Sequence, residues 1–219
     1  MKPLHGIFFR DFSTSYIPEI LKELYRDAIY EPYLQGKKDL VMLDVGANIG
    51  LFSFYAEKYA KVIYAVEPSQ EHVEVIKHLK EFNHLDNVIP VQAAISHKNG
   101  VANFYHNENT TMFSLKPEVN GKPEEMELVP TMTLDTFFNN FDLDHVDFMK
   151  IDIEGAEAEV FGSEGFDKVK DKIDVICGEF HTWSGVNPQQ FSTYFTDRGF
   201  SFDWMNTTQA TTFVAKRMK

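Results

Sequence analysis

Between Asp39 and Phe180, short apolar runs alternate with longer amphipathic stretches, and that alternation leaves few folds open. "DLVMLDV" reads as a buried strand and "IGLFSFYAEKY" as a helix. "KVIYAVE", the helix "SQEHVEVIKHLKEFN" and the strand "NVIPVQAAI" repeat the unit. After an interruption the pattern resumes with the helix "LDTFFNNF", the strand "VDFMKID", a helical region over 156–170 and the strand "KIDVICGEF". Parallel neighbours need a long crossover, and a helical crossover covers the face it passes over. Strands buried on both faces then read as unbroken apolar runs, as these do. The expected fold is α/β, a mostly parallel, doubly wound sheet.

Departures from the pattern are equally informative. Asn99-Gly100, between "AAIS" and "VANFYH", is a two-residue hairpin signal. With the strand-like "MELVPTMT" it marks a β-rich insert over 99–130, after the third strand. Past a helix near 188–197, "FSFDWM" and "TTFVAKR" are separated only by "NTTQA", which predicts a C-terminal antiparallel hairpin. Over 1–38 the spacing of Ile17, Ile20, Leu21 and Leu24 is helical, with Pro18 near its start and Gly36 near its end. This helix is placed to act as a lid. No Pro/Gly/Ser-rich linker divides the 219 residues, so residues 1–219 are read as a single domain.

Charge and cysteine usage narrow the function. A formal charge of −12 disfavours a nucleic-acid partner, which needs clustered Lys and Arg. The single cysteine, Cys177, precludes an internal disulfide, and its apolar surroundings in "KIDVICGEF" predict a buried structural thiol. The start "MKPLHGIFFRDFSTSY" has no signal-peptide core, and no apolar run is long enough to span a membrane. A cytoplasmic protein with no membrane partner is expected.

The first strand ends on Asp44 and turns through Gly46, Asn48 and Gly50. In doubly wound sheets, ligands lie outside the carboxyl ends of the strands. A glycine turn there exposes backbone N–H groups at a helix start, favourable to negative charge, while Asp44 offers an acceptor to a positive group. The pair suits a zwitterion. Glu67 ends the second strand, where nucleotide-binding sheets recognise a ribose diol. A nicotinamide dinucleotide would use the same acid, but its glycine signature is interrupted here by Asn48, and the closing hairpin is unusual for that class.

"LDVGANIG", together with "TLDTFF" and "VDFMKIDIEGAEAEVFGSEGF", resembles the FkbM-type family of S-adenosylmethionine-dependent class I methyltransferases. The resemblance covers roughly residues 40–180. It implies a Rossmann-like sheet, S-adenosylmethionine as cofactor and O-methylation of a small hydroxylated acceptor such as a sugar or natural product. Carried over by position, Asp44, Gly46, Asn48 and Gly50 surround the methionine end and Glu67 the ribose. Many class I enzymes read adenine with an Asp after the third strand. Here "PVQAAIS" offers Ala93 and Ala94, so Ala94 would contact adenine through backbone and apolar surface. A module that keeps this fold and cofactor site but has lost the chemistry is the alternative.

An alcohol is a poor nucleophile until its proton is removed or a metal polarises it. Asp152 falls at the tip of the fourth strand and Glu154 at the turn that follows; "CGEFHTW" ends the fifth strand with Glu179 and His181 on one face. Asp152, Glu154 and His181 are the candidate catalytic residues. Asp152, Glu179 and His181 could instead hold a divalent ion such as Mg²⁺, or form a general-base relay. Glu157 and Glu159 are read as solvated acids in a helix first turn, Asp135 as a helix-start acid beside Thr133, and Lys150 as the partner of a nearby acid. His72, His78 and His84 are expected at the surface. Trp183 and Trp204 either line an acceptor pocket or pack in the core.

Overall fold

The structure, a computed structural model, describes residues 2–4, 7–9, 17–106, 115, 125–205 and 211–218. Strands β1 (Lys2–Leu4) and β2 (Ile7–Phe9) pair antiparallel with each other. Helices α1 (Ile17–Leu21) and α2 (Glu31–Leu34) follow, so the N-terminal part is not one helix. The chain widens into a π turn over Lys22–Arg26 and leaves helical geometry at Ala28, whose φ is +50°. The βα pattern then runs through β3 (Leu40–Val45), α3 (Leu51–Ala56), β4 (Ala60–Glu67), α4 (Gln70–Asn83) and β5 (Val88–Gln92). The insert contributes β6 (Ala94–Ile95), β7 (Gly100–His106) and β8 (Glu125–Met132). The second half comprises α5 (Leu134–Asn140), β9 (Val146–Ile151), α6 (Glu157–Phe161), α7 (Glu164–Val169) and β10 (Ile173–Glu179). It closes with α8 (Pro188–Thr196), β11 (Phe200–Trp204) and β12 (Thr212–Arg217).

A seven-stranded sheet has the order β11-β12-β10-β9-β3-β4-β5. Pairs β3/β4, β4/β5, β3/β9 and β9/β10 are parallel, while β12 runs antiparallel to both β10 and β11. This is the mixed, Rossmann-like sheet expected from the alternation and the closing hairpin. The strand order reverses between β3 and β9, which makes their carboxyl ends the place for a ligand.

Alternation along the strands separates two cores. On one face Leu43 and Val45 of β3 join α5, α6, α7 and α8, including a cluster of Phe161, Phe166, Phe191, Phe195 and Phe213. On the other, Met42 and Phe148 meet Phe52 of α3 and the N-terminal residues Leu24, Tyr30 and Leu34. Leu24 thus keeps the buried position its spacing suggested, although the helix carrying it is interrupted.

Two local expectations are corrected. Asn99-Gly100 does not join a hairpin of its flanking strands: β6 pairs parallel with β8, and β7 antiparallel with β8. The Asn99 side chain ties the corner to the start of α5, accepting from Thr133 N at 2.9 Å and donating to Thr136 Oγ1 at 2.9 Å. The helical region 156–170 is broken at Gly162, where Ser163 caps α7 by accepting from Phe166 N at 3.3 Å. The "NTTQA" connection, and residues 107–114 and 116–124 of the insert, lie outside the described residues.

The exit from β3 is tightly constrained. Gly46 has φ +76°, and a Cβ there would sit 1.8 Å from the carbonyl oxygen of Asp152. A close approach of two strand ends therefore requires this glycine. Gly46→Ala should lower stability by about 3 kcal/mol, from left-handed strain plus the forced separation of β3 and β9; urea denaturation measures it. Phe195→Ala, in the fully buried aromatic cluster, should cost about 4 kcal/mol in the same experiment with an unchanged m-value.

Candidate active site

A cavity of about 330 Å³ opens at the carboxyl ends of β3, β4, β9 and β10. Gly46, Ala47, Asn48 and Glu67 form its crest side. Ala93, Ala94, Ile95, Phe104 and Leu115 form an apolar slot. Lys150, Asp152, Glu154 and Glu179 face it from β9, its following turn and β10, while Ile20, Glu23, Leu24 and Tyr30 close it from the N-terminal part.

The crest places Glu67 against the glycine turn. Glu67 is buried; its Oε2 accepts from Asn48 N at 2.8 Å and its Oε1 from Ser69 N at 3.0 Å. A carboxylate offers about four acceptor sites, so capacity remains for a diol. The N–H groups of the turn are not free, contrary to the reading of the motif. Gly46 N and Ala47 N donate to Val66 O at 2.9 and 3.0 Å, Ile49 N to Asn48 Oδ1 at 2.7 Å, and Gly50 N to Ala47 O at 2.8 Å. The turn bonds internally because its backbone would otherwise be buried without partners.

Two residues of the motif stand behind the wall rather than in it. Asp44 is fully buried; its Oδ2 accepts from Ser53 Oγ at 2.7 Å and its Oδ1 lies 3.7 Å from Lys150 Nζ. Burial raises its carboxyl, partly offset by Lys150 and Ser53. Gly50, φ +84°, turns toward Phe54 and Ile76, which a Cβ would meet at 3.0 and 3.2 Å, so it serves packing of α3 on α4. Gly46, Asn48, Glu67 and Ala94 do border the cavity.

The acid side gathers more carboxyl groups than the sequence suggested, and burial holds several of them toward their neutral form. Glu154, with φ +52°, is held in a left-handed turn. Its carboxyl is pushed up to about 8 by burial first and by the Asp152 charge second. Glu179 is likewise pushed up to about 8 by burial and Asp152. Asp152 Oδ1 is buried and accepts no hydrogen bond among the described residues. Glu23, which the sequence reading missed, is raised to about 7 by burial and by Asp152. The only sequence signal was its spacing: Glu23 follows Ile20 by three residues and so lies at the edge of the apolar stripe.

His181 is buried and lies behind this wall. Its Nδ1 is 2.8 Å from Glu157 Oε1; its Nε2 is 3.4 Å from Glu154, 3.8 Å from Glu179 and 3.9 Å from Asp152. Burial opposes its charge, but the bond to Glu157 and the surrounding carboxylates outweigh that and push the imidazole up to about 10. It is therefore an imidazolium at neutral pH. Glu157, read as a solvated first-turn acid, is instead fully buried in α6, a helix whose neighbours Ala158, Val160 and Phe161 are buried too. Glu159 keeps the exposed position expected for it. Donor atoms of Asp152, Glu157 and His181 lie within 4.8 Å of one another, so Glu157 joins the cluster in which the sequence placed Glu179.

Other expectations sort simply. His78 and His84 are exposed, but His72 is buried with Nδ1 3.4 Å from Glu67 Oε1, because α4 turns it inward beside its cap. Lys150 pairs with Asp44 and Asp152 as expected. Thr133 Oγ1 donates to Asp135 at 2.5 Å at the start of α5. Cys177 is buried, and burial pushes its thiol up. Trp183 and Trp204 are 42% and 39% exposed, and neither borders the cavity; Trp204 rests on Phe180 and Phe202. No helix among the described residues is long and apolar enough to cross a membrane.

The lining would fit S-adenosylmethionine on three counts: an acid, Glu67, at the tip of β4 where a ribose would lie, a slot beside Ala94 that no side chain at that position fills, and acidic groups that would face a sulfonium. Solved structures share the fold at low identity. A precorrin-6y C5,15-methyltransferase from Geobacter metallireducens GS-15 is 15% identical with a TM-score of 0.54, covering 97% of this chain and 99% of that one. An rRNA methylase from Streptococcus thermophilus is 7% identical, TM-score 0.54, covering 89% and 95%. A SAM-dependent methyltransferase from Aquifex aeolicus is 14% identical, TM-score 0.50, covering 90% and 91%. No curated protein matches the sequence. Residues 44–202, well over half of the chain, match the Methyltransferase FkbM domain, and the protein belongs to that family of S-adenosylmethionine-dependent methyltransferases.

Proposed function

We propose that this methyltransferase acts on a hydroxyl of a small acceptor, such as a sugar or other natural product, with Glu154 as the proton acceptor. The carrying observation is Glu154 itself: a cavity-lining carboxyl with proton affinity raised to about 8. A general base works best with a pKa near the operating pH. S-adenosylmethionine supplies a methyl group already activated as part of a sulfonium. Glu67 would hold its ribose, the Ala93–Ile95 slot its adenine, and the Lys150 ammonium its carboxylate. What remains for the chain is to align the acceptor, exclude water and take one proton.

Asp152, 3.6 Å from Lys150 Nζ, orients the acceptor O–H, and Ile20, Leu24 and Tyr30 shield the cavity from water. His181 stands behind Glu154 as a fixed positive charge and favours the ionised carboxylate. An imidazolium among these carboxylates fills the electrostatic role of a divalent ion. The relay is therefore favoured over the ion site suggested by Asp152, Glu179 and His181. The net charge of −12 supports a small neutral or cationic acceptor over a polyanion.

Calorimetric titration with S-adenosylhomocysteine should show binding; none at millimolar ligand overturns the cofactor site. With labelled donor and a panel of monosaccharides and polyhydroxylated alcohols, product methylated on oxygen is expected. Product methylated only on nitrogen or carbon, or binding with no transfer to any acceptor, would reject this reading. Because the base must be ionised, kcat should rise as pH climbs toward about 8 and level off above it. Glu154→Gln should lower kcat by about 10²–10⁴-fold with cofactor affinity little changed. Dialysis against EDTA should leave the rate within about two-fold, whereas loss restored by Mg²⁺ would return Asp152, Glu179 and His181 to ion binding.

A further inference from the structure

We propose that Glu157 is a positioning residue: by accepting the Nδ1–H of His181 it fixes the imidazole so that Nε2 faces Asp152, Glu154 and Glu179. The inference rests on the proton-acceptor reading above for its catalytic consequence, but its geometry stands independently.

Three observations carry it. Glu157 is fully buried, whereas Glu159, in the same first turn of α6, is exposed and reaches His97 at 3.0 Å. The acid at Glu159 is explained by the helix start; the one at Glu157 is not, since burying a carboxylate is costly unless it is paired and hydrogen-bonded. Second, Glu157 is so bonded. Its Oε1 lies 3.2 Å from Ile153 N and 3.1 Å from Gly155 N, the backbone flanking Glu154, and 2.8 Å from His181 Nδ1. One oxygen thus joins the turn that presents Glu154 to the ring behind it. Third, with Nδ1 committed, only Nε2 can address the acids, and it has Glu154, Glu179 and Asp152 at 3.4, 3.8 and 3.9 Å. Among the described residues Lys150 lies beyond them, 3.6 Å from Asp152, and the Trp183 ring flanks the imidazole at 4.8 Å between centroids. An acid that orients an imidazole through its far nitrogen is the logic of catalytic dyads and triads, here turned to holding a charge.

Glu157→Gln keeps the size and one carbonyl oxygen for the backbone N–H groups while removing the charge. It should lower kcat by about 10–100-fold, leaving acceptor KM and calorimetric S-adenosylhomocysteine affinity within about three-fold. In a His181→Gln background the same change should add little to the loss in kcat, because both act through one ring. Proton NMR should show a low-field, strongly hydrogen-bonded imidazole N–H in the wild type that is absent from His181→Gln and moves upfield in Glu157→Gln, whose neutral carbonyl is a weaker acceptor. Equal losses of kcat in the two backgrounds, or a loss confined to KM and cofactor affinity, would overturn the proposal. So would a wild type lacking that proton, a readout that remains if Glu157→Gln does not fold. An active Glu154→Gln with the NMR signature intact would instead sink the proton-acceptor reading and leave the positioning contact standing.

Discussion

The buried ammonium of Lys150 joins the two halves of the site. Its Nζ donates to Gly46 O at 2.9 Å and lies 3.6 Å from Asp152 and 3.7 Å from Asp44. Burial works against that charge, but Asp152 and Asp44 more than offset it and raise the amine above its ordinary value. The contact works only because Gly46 lets the β3 turn approach the Asp152 carbonyl. A cation removed from water and shared between two strand ends is costly to form and costlier to leave half-made. This explains why β3 and β9, adjacent at the reversal of strand order, hold the glycine turn and the acid turn in fixed relation.

From that relation comes a division of labour among chemically identical groups. Glu67 is spent on backbone N–H groups with capacity left over, and Glu157 on a ring and two N–H groups. Glu154 and Glu179, at the cavity wall, keep raised proton affinity. Burial and neighbours, rather than residue type, set the partners and the proton affinity of each carboxyl. The apolar slot adds the complementary surface: Phe104 and Leu115 of the insert pack with Ala94, so the insert walls the side assigned to adenine.

Much of this was legible in the chain. Continuously apolar strands announced a sheet buried on both faces, "FSFDWM" and "TTFVAKR" announced its antiparallel end, and acids at strand tips announced a site. Asn99-Gly100 misled because a turn dipeptide states what a corner permits and not which strands it connects; here Asn99 spends its side chain on α5. The glycine turn misled in the same way. Its bare backbone does serve close approach, but to Asp152, Phe54 and Ile76.

By itself, the sequence determined the order of elements, the parallel sheet and the strand ends where acids and glycines collect. Periodicity and turn chemistry are local properties, written within a few residues of each other. Only the tertiary structure decided that Glu157 is buried against His181, that Asp44 lies beneath the cavity and that Glu23 reaches into it. Such pairings join residues far apart in the chain, and a carboxylate's role depends on the dielectric and the charges that folding brings to it.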